Sequence, residues 1–379
     1  MVPSWQNDFT MNKLIELSNL GQSVWYDNVE RKLLKSGEMK RLITEDAVSG
    51  VTSNPSIFEK AITSSTDYDA DIKALAKQGK NVDEIYEAIT IKDIVATCGL
   101  LDQACKASGY CDGYVSIEVS PDYAYNTEKT LESGRRIFKS VNCPNVLIKV
   151  PGTQEGFAAV RQLIAEGINV NITLLFSQRD YVNSAGAYID GLKQRLNQGL
   201  DIKKVFSVAS VFISRTDSAI DKMIDGKLSS LNSHLSSFKG KTAVANAQAI
   251  YRLYKKLFSG DDFEELRKNG ARAQKIVWAS TSTKNPAYPD TLYVDELIGP
   301  ETINTIPTAT LFAFKEHGKP AITIDKNPAE AQNILRALAD NGINIEQVCA
   351  DIQKDGIKSF KDSYDKALEA IRLKVDGKQ

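Results

Sequence analysis

Eight short apolar runs, most of them followed by a helical pattern, limit what this chain can fold into more than any other feature. They start with Ser23–Asp27, Gly50–Asn54 and Tyr114–Ser120. The fourth begins at Asn145 and is closed by Pro151-Gly152, with Thr153 opening the next helical pattern. Ile168–Leu175, Lys204–Phe212, Lys275–Ser280 and a weaker run, Thr305–Ala309, complete the set. Between them, apolar residues recur at three- and four-residue intervals. This spacing predicts helices over Met11–Leu20, Glu30–Lys40, Asp67–Lys77, Val82–Cys105, Glu128–Val141 and Gln154–Ala165. Ser177 and Asp180 form an N-terminal cap for another. Strands alternating with helices imply parallel strands joined by crossovers, and the strand count favours a closed eight-stranded barrel over an open sheet.

The remaining segments read as additions to one barrel domain spanning 1–379. Residues 57–107 form a helical insertion, and Pro328–Ala339 and Asp355–Val375 form C-terminal helices within about 328–375. Ser229–Lys241 is polar and Ser-rich, a surface loop in character.

Composition narrows the function. A formal net charge of −1 argues against a general nucleic-acid or membrane-surface binder. No apolar run is long enough for a transmembrane helix, and the first residues contain no signal-peptide core. The five cysteines (Cys98, Cys105, Cys111, Cys143, Cys349) contain no C-x-x-C pair, the pattern of reduced thiols in a cytoplasmic protein. His234 and His317 are the only histidines, too few for a multi-histidine metal site. No metal or other cofactor is expected.

The fourth run contains a lysine, Lys149, next to its closing Pro-Gly. Withdrawal from water disfavours an ammonium and favours the nucleophilic free amine. The structural alternative is a lysine whose stem packs while its head reaches water. Reading each strand at period two supplies partners at corresponding strand ends: Asp27, Thr52 and Asn54, Ser116 and Glu118, Asn171 and Thr173, Ser210, and Trp278 with Ser280. Asp27 could instead cap the next helix, Asn54 could brace the turn before Pro55, and the Asn169-x-Asn171-x-Thr173 row could be hydrogen-bond filler. An amine with two carboxylates suits covalent chemistry on a carbonyl, in which lysine attacks a ketone, water leaves, and the imine cation takes up electrons as a C–C bond breaks. Arg215 after the sixth run and Ser280 with Lys284 after the seventh suit a phosphate, although either patch could be ordinary loop chemistry.

The segments Gly50-Val-Thr-Ser-Asn-Pro-Ser56, Val115-Ser-Ile-Glu118, Leu147-Ile-Lys-Val-Pro-Gly-Thr153, Asn171-Ile-Thr-Leu-Leu-Phe-Ser177 and Trp278-Ala-Ser280 resemble the transaldolase family. The resemblance runs from about Leu14 through the eighth strand. It implies a (β/α)8 TIM barrel and transfer of a dihydroxyacetone unit between sugar phosphates in the pentose phosphate pathway, through a Schiff base on Lys149. Asp27 would be the acid/base at the donor C4 hydroxyl, and Glu118 would work through a water held by Thr173. Thr52, Asn54, Asn171 and Ser210 would hold the dihydroxyacetone part, and Arg215, Ser280 and Lys284 the phosphate. Lys284 departs from the shorter members, which carry arginine there; a lysine lacks the bidentate fork. The long helical insertion is similar to that of the longer bacterial-type members, and no isomerase-like domain is appended. Partners are expected to be small sugar phosphates only, with the chain a monomer or homodimer. The nearest alternative is a lysine aldolase releasing free dihydroxyacetone. Phe212, where related small aldolases place a water-orienting tyrosine, favours transfer. A barrel that binds sugar phosphates without chemistry is a further alternative.

Overall fold

The computed structural model describes residues 12–227 and 233–377. Met11, the expected start of the first helix, and residues 229–232 of the expected polar loop lie outside the described residues.

In chain order the first elements are α1 (Lys13–Asn19), β1 (Gln22–Tyr26), α2 (Arg31–Ser36), α3 (Glu38–Glu45) and β2 (Val48–Val51). Three helices follow, α4 (Pro55–Ser64), α5 (Asp69–Lys77) and α6 (Val82–Ala107). Next come β3 (Val115–Glu118), α7 (Thr127–Val141), β4 (Val146–Pro151), α8 (Gln154–Ala165), β5 (Val170–Leu175) and α9 (Gln178–Asn197). Then β6 (Ser207–Phe212), α10 (Ser214–Lys227), α11 (Thr242–Ser259), α12 (Asp261–Lys268) and β7 (Lys275–Ala279) lead to α13 (Leu292–Asp295). The chain ends with β8 (Thr302–Ile306), α14 (Thr308–His317), α15 (Pro328–Asp340) and α16 (Ile345–Val375).

The strands pair in parallel in sequence order, and β1 pairs with β8 to close the barrel. This is the (β/α)8 architecture that the alternation of strand and helix signals predicts. Strand parity divides the core. On β4, Val146, Ile148 and Val150 face the surrounding helices, whereas Leu147 joins Trp25, Tyr114, Phe206, Val208, Val277 and Ile303 inside the barrel. The interior plug is tight. A methyl group on Gly50 would come within 2.4 Å of the Trp25 ring, so the size of the tryptophan dictates a glycine opposite it. Tyr114 and Phe206 stack at 4.6 Å.

Several boundaries differ from those expected, each for a local reason. β2 ends at Val51, and Pro55 begins α4 at its first position, where a missing N–H costs nothing; Asn54 caps that helix by accepting from Ile57 N–H at 3.1 Å. Gly37, in the left-handed region at φ 78°, divides the expected Glu30–Lys40 helix into α2 and α3. β8 spans Thr302–Ile306 rather than 305–309, and Pro307 already caps α14. Asn344, accepting from Gln347 N–H at 3.2 Å, starts α16 ten residues before Asp355. Residues Ser233–Phe238, within the expected loop, form a short 3-10 helix.

On β7 the inward residues are Val277 and Ala279, and Trp278 lies in the layer between sheet and helices. The expected inward Trp278 is therefore turned outward. Ser280 still reaches the interior because its backbone adopts φ 57°, which breaks the alternation.

Long α16 runs over the carboxyl end of the barrel. Gln353 Nε2 donates to the carbonyls of Gly152 (3.0 Å) and Leu174 (2.9 Å), Ser363 Oγ meets Ser56 Oγ at 2.8 Å, and Lys374 Nζ reaches Asp69 at 2.6 Å. Among the described residues, no helix is long and apolar enough to cross a membrane.

Candidate active site

Lys149 is 3% exposed, and its Nζ donates to the Ser53 carbonyl at 3.1 Å. Glu118 Oε2 lies 3.3 Å from the same nitrogen, across the β3–β4 pair that sets the two residues side by side. The Phe360 ring of α16 covers the amine, with 5.7 Å between Nζ and the ring centroid. One hydrogen bond and one ion-pair contact hold the amine without surrounding it. It therefore keeps a direction in which to react.

The two carboxylates sit in different settings. Asp27 follows β1, where its N–H donates to the Ile306 carbonyl at 3.0 Å; its Oδ1 accepts from Thr52 Oγ1 at 2.7 Å. Thr52 Oγ1 in turn meets Thr305 Oγ1 at 2.5 Å. Withdrawal from bulk water raises the Asp27 carboxyl above the ordinary range, against the pull of Lys149, the Thr52 bond and Lys284. Burial likewise raises Glu118, with Lys149 pulling down and Asp27 pushing up. Neither Glu118 oxygen has a hydrogen-bond partner among the described residues, nor does Thr173 Oγ1, which is fully buried. Apart from the Lys149 contact the Glu118 carboxylate has no donor, and each unmade hydrogen bond at a buried polar group costs on the order of 1–3 kcal/mol.

Beneath these lies a satisfied polar chain. Ser210 Oγ donates to Asn171 Oδ1 at 2.7 Å, and Asn171 Nδ2 donates to Ser116 Oγ at 2.9 Å. It ties β6, β5 and β3 together below the amine and fixes the orientation of Asn171.

A cavity of about 250 Å³ opens above this layer. Asp27, Thr52, Asn54, Lys149, Ser210, Phe212, Arg215, Ser280 and Lys284 line it, nine of the twelve residues expected from sequence to act in catalysis or substrate binding. Glu118, Asn171 and Thr173 are buried beside it rather than on its surface. A larger cavity, about 680 Å³, lies outside the barrel between α6 and α7 and touches Glu118 but not Lys149. Convergent reactive groups, not volume, mark the smaller one as the site.

Arg215 and Lys284 both line the small cavity, near enough for the Arg215 charge to act on Lys284. Burial lowers the Arg215 guanidinium, with Asp355 pulling it back up. Partial withdrawal from water and then repulsion by Arg215 lower the Lys284 ammonium. Among the described residues neither has a carboxylate within ion-pair distance; Lys284 Nζ donates only to Ser282 Oγ, at 2.9 Å. Ser280 Oγ lies 3.0 Å from Ser214 Oγ at the start of α10. Two cations without an ion-pair partner among the described residues, with hydroxyls and a helix start, are groups of the kind that suit a dianion.

Sequence reasoning passed over Thr305, the Ser53 carbonyl, Ser56, Ser282 and Phe360. Thr305 shares the inward parity of Ile303 and becomes visible once β8 is started at Thr302. Phe360 carried no local signal, because its place over Lys149 depends on how α16 crosses the barrel.

Comparison with known proteins gives a consistent result. The family model described as Transaldolase/Fructose-6-phosphate aldolase matches residues 24–371. A protein of Nostoc sp. named Transaldolase 2 is 44% identical over 373 residues, covering 96% of this chain and 98% of its own length. Transaldolases of Trichodesmium erythraeum (44% over 371 residues, 96% and 98%) and Thiobacillus denitrificans (44% over 362 residues, 95% and 100%) are equally similar. Barrel, site and near-full-length similarity agree: the chain belongs to the transaldolase/fructose-6-phosphate aldolase family.

Proposed function

We propose that this chain is a transaldolase, moving a dihydroxyacetone unit from a ketose phosphate (sedoheptulose 7-phosphate or fructose 6-phosphate) to an aldose phosphate (glyceraldehyde 3-phosphate or erythrose 4-phosphate). The observation that carries this reading is the buried Lys149 amine between two raised carboxyls, with two unpaired cations across the same small cavity. The free amine attacks C2 of the ketose, and the carbonyl oxygen takes up a proton to give a carbinolamine. Loss of that oxygen as water leaves a protonated imine. Glu118, beside the nitrogen, passes the protons, through a water held by Thr173 Oγ1. Asp27 removes the C4 hydroxyl proton, the C3–C4 electron pair moves into the imine, and the aldose departs. The enamine then adds to the acceptor aldehyde, whose new hydroxyl recovers the Asp27 proton, and water releases the product. A carboxyl held above its ordinary range is the stronger base once deprotonated, which suits Asp27 to accepting a proton from an alcohol. Thr52, Asn54, Asn171 and Ser210 orient the three-carbon unit; Arg215, Ser280 and Lys284 bind the phosphate. The pathway would be the non-oxidative pentose phosphate pathway.

Release of free dihydroxyacetone by hydrolysis is the competing outcome. Phe212 supports transfer: it is 8% exposed, 5.5 Å from the Phe176 ring and 6.5 Å from Phe360, and this apolar wall carries no hydroxyl to orient water. Fructose 6-phosphate alone should turn over very slowly, and erythrose 4-phosphate should trigger rapid release of glyceraldehyde 3-phosphate. Borohydride added with fructose 6-phosphate should attach a three-carbon unit to the peptide bearing Lys149. An unmodified peptide would remove the imine mechanism, and fast acceptor-free release of dihydroxyacetone would remove transfer.

A further inference from the structure

Outside the cavity, two buried carboxylates of α10 bind tyrosines from the segment after β7. Asp221 Oδ2 accepts from the Tyr288 hydroxyl at 2.7 Å, and its Oδ1 accepts from Gly240 N–H at 3.1 Å. Asp217, one turn earlier, accepts from the Tyr293 hydroxyl at 2.9 Å and from Ala243 N–H at 2.7 Å. The Tyr288 ring lies against Gly240, where a Cβ would come 2.8 Å from the ring, at a backbone φ of +72°. The contact therefore depends on a glycine.

What these contacts join matters more than their number. Arg215 lies at the start of α10, and Lys284 lies four residues before Tyr288 in the stretch between β7 and α13. Arg215 repels Lys284, and among the described residues neither has a carboxylate within ion-pair distance, although Asp27 and Asp355 attract them from further off. Repulsion of this kind drives an exposed lysine on irregular backbone away from the guanidinium unless the backbone is held. The hydrogen bond of Lys284 to Ser282 is local to that same stretch and cannot hold it against α10. The Tyr288–Asp221 bond can.

We propose that Tyr288 and Asp221 are positioning residues: they hold the segment after β7 against α10, so that Lys284 stays opposite Arg215 and the pair is preset for the phosphate of the substrate. The inference rests on the sugar-phosphate reading of the cavity. Presetting removes the ordering cost at binding, so its loss appears in affinity for phosphate rather than in the chemical step.

Tyr288→Phe removes one oxygen and keeps the ring. For this variant KM for the ketose phosphate and Ki for inorganic phosphate should both rise about tenfold, with kcat within about twofold. Activity on an unphosphorylated ketose should not change. Asp221→Asn, which keeps an acceptor for Gly240 N–H, should show the same split, and Lys284→Ala a larger one. If Tyr288→Phe leaves both constants unchanged while Lys284→Ala raises them, the positioning role is wrong and the phosphate site stands. A drop in kcat and thermal stability without a change in phosphate Ki also overturns it, because that is the signature of a structural contact. If Lys284→Ala and Arg215→Ala both leave the phosphate Ki unchanged, the phosphate reading fails and the proposal goes with it.

Discussion

The two ends of the barrel interior are built on the same strands, with the same inward parity, and for opposite purposes. Trp25 and Asp27 are two residues apart, as are Leu147 and Lys149, and Val208 and Ser210. One step of two residues, about 7 Å along a strand, changes an apolar layer into a reactive one. In the lower layer Trp25, Tyr114, Leu147, Phe206, Val208, Val277 and Ile303 pack together, and the Trp25 indole N–H finds Asp112 at 2.8 Å. In the upper layer, among the described residues, both Glu118 oxygens and Thr173 Oγ1 have no hydrogen-bond partner, Glu118 has only the ion-pair contact with Lys149, and two carboxyls are pushed above their ordinary range. The lower layer is close-packed, the arrangement that stabilises a fold; the upper layer withdraws carboxyls from water, which costs stability, and on the proposed function it holds them for a substrate. On that reading stability and chemistry are separated along the barrel axis.

The strongest way to break that comparison is to convert the upper layer into a copy of the lower. The double variant Lys149→Met with Glu118→Gln should lose at least about 10⁴-fold in transfer activity, since it removes the nucleophile and a proton carrier together. Its stability should be equal to that of the parent or higher by about 1–4 kcal/mol, because a buried ion pair is replaced by neutral groups of similar volume. Urea unfolding checks this; a clearly lower midpoint would mean that the upper layer contributes to the fold. Lys149→Met alone is a poorer test, because it leaves Glu118 without its charge partner.

The reverse operation acts on the lower layer. Leu147→Ala should cost about 2–5 kcal/mol in unfolding free energy, the usual effect of a cavity in a close-packed core. Measured well below its midpoint, the variant should keep kcat/KM within a few-fold. A loss of two orders of magnitude would show that Lys149, two residues further along β4, depends on the packing of Leu147 for its position.

The separation was largely legible in the sequence wherever strands keep strict period two. On β3 and β4 the alternation Ser116-x-Glu118 and Leu147-x-Lys149 places each inward residue where the structure has it. Elsewhere a single backbone angle defeats it. Ser280 at φ 57° enters the cavity against parity, so counting back from it wrongly turned Trp278 inward; Leu174, also at φ 57°, joins the apolar cluster above the amine. Positive φ outside glycine has no dependable mark in sequence. The start of α16 was readable, because Asn344 precedes Ile345, Val348, Cys349 and Ile352 at helical spacing. That the same helix brings Phe360 over Lys149 follows only from tertiary packing.

A third buried carboxyl provides the finest test of what the upper layer costs. Asp217 is 1% exposed, and it accepts two hydrogen bonds, from Ala243 N–H and the Tyr293 hydroxyl. Burial nonetheless prevails and pushes it from 3.8 to about 7. Because the folded value lies above the unfolded one, the folded state binds the proton more tightly. The stability this gives is complete below about pH 4 and is lost as pH rises through about 7. Between those limits the slope should be on the order of 1 kcal/mol per pH unit. Asp217→Asn, neutral throughout, should remove that component from the pH dependence of urea unfolding and leave the part set by the other shifted carboxyls, Asp27, Glu118 and Asp93 among them. An unchanged slope would mean that the two hydrogen bonds offset burial at Asp217. The stability cost would then belong to Glu118, which accepts no hydrogen bond among the described residues, and the contrast between the two ends of the barrel would rest on hydrogen bonding rather than on burial.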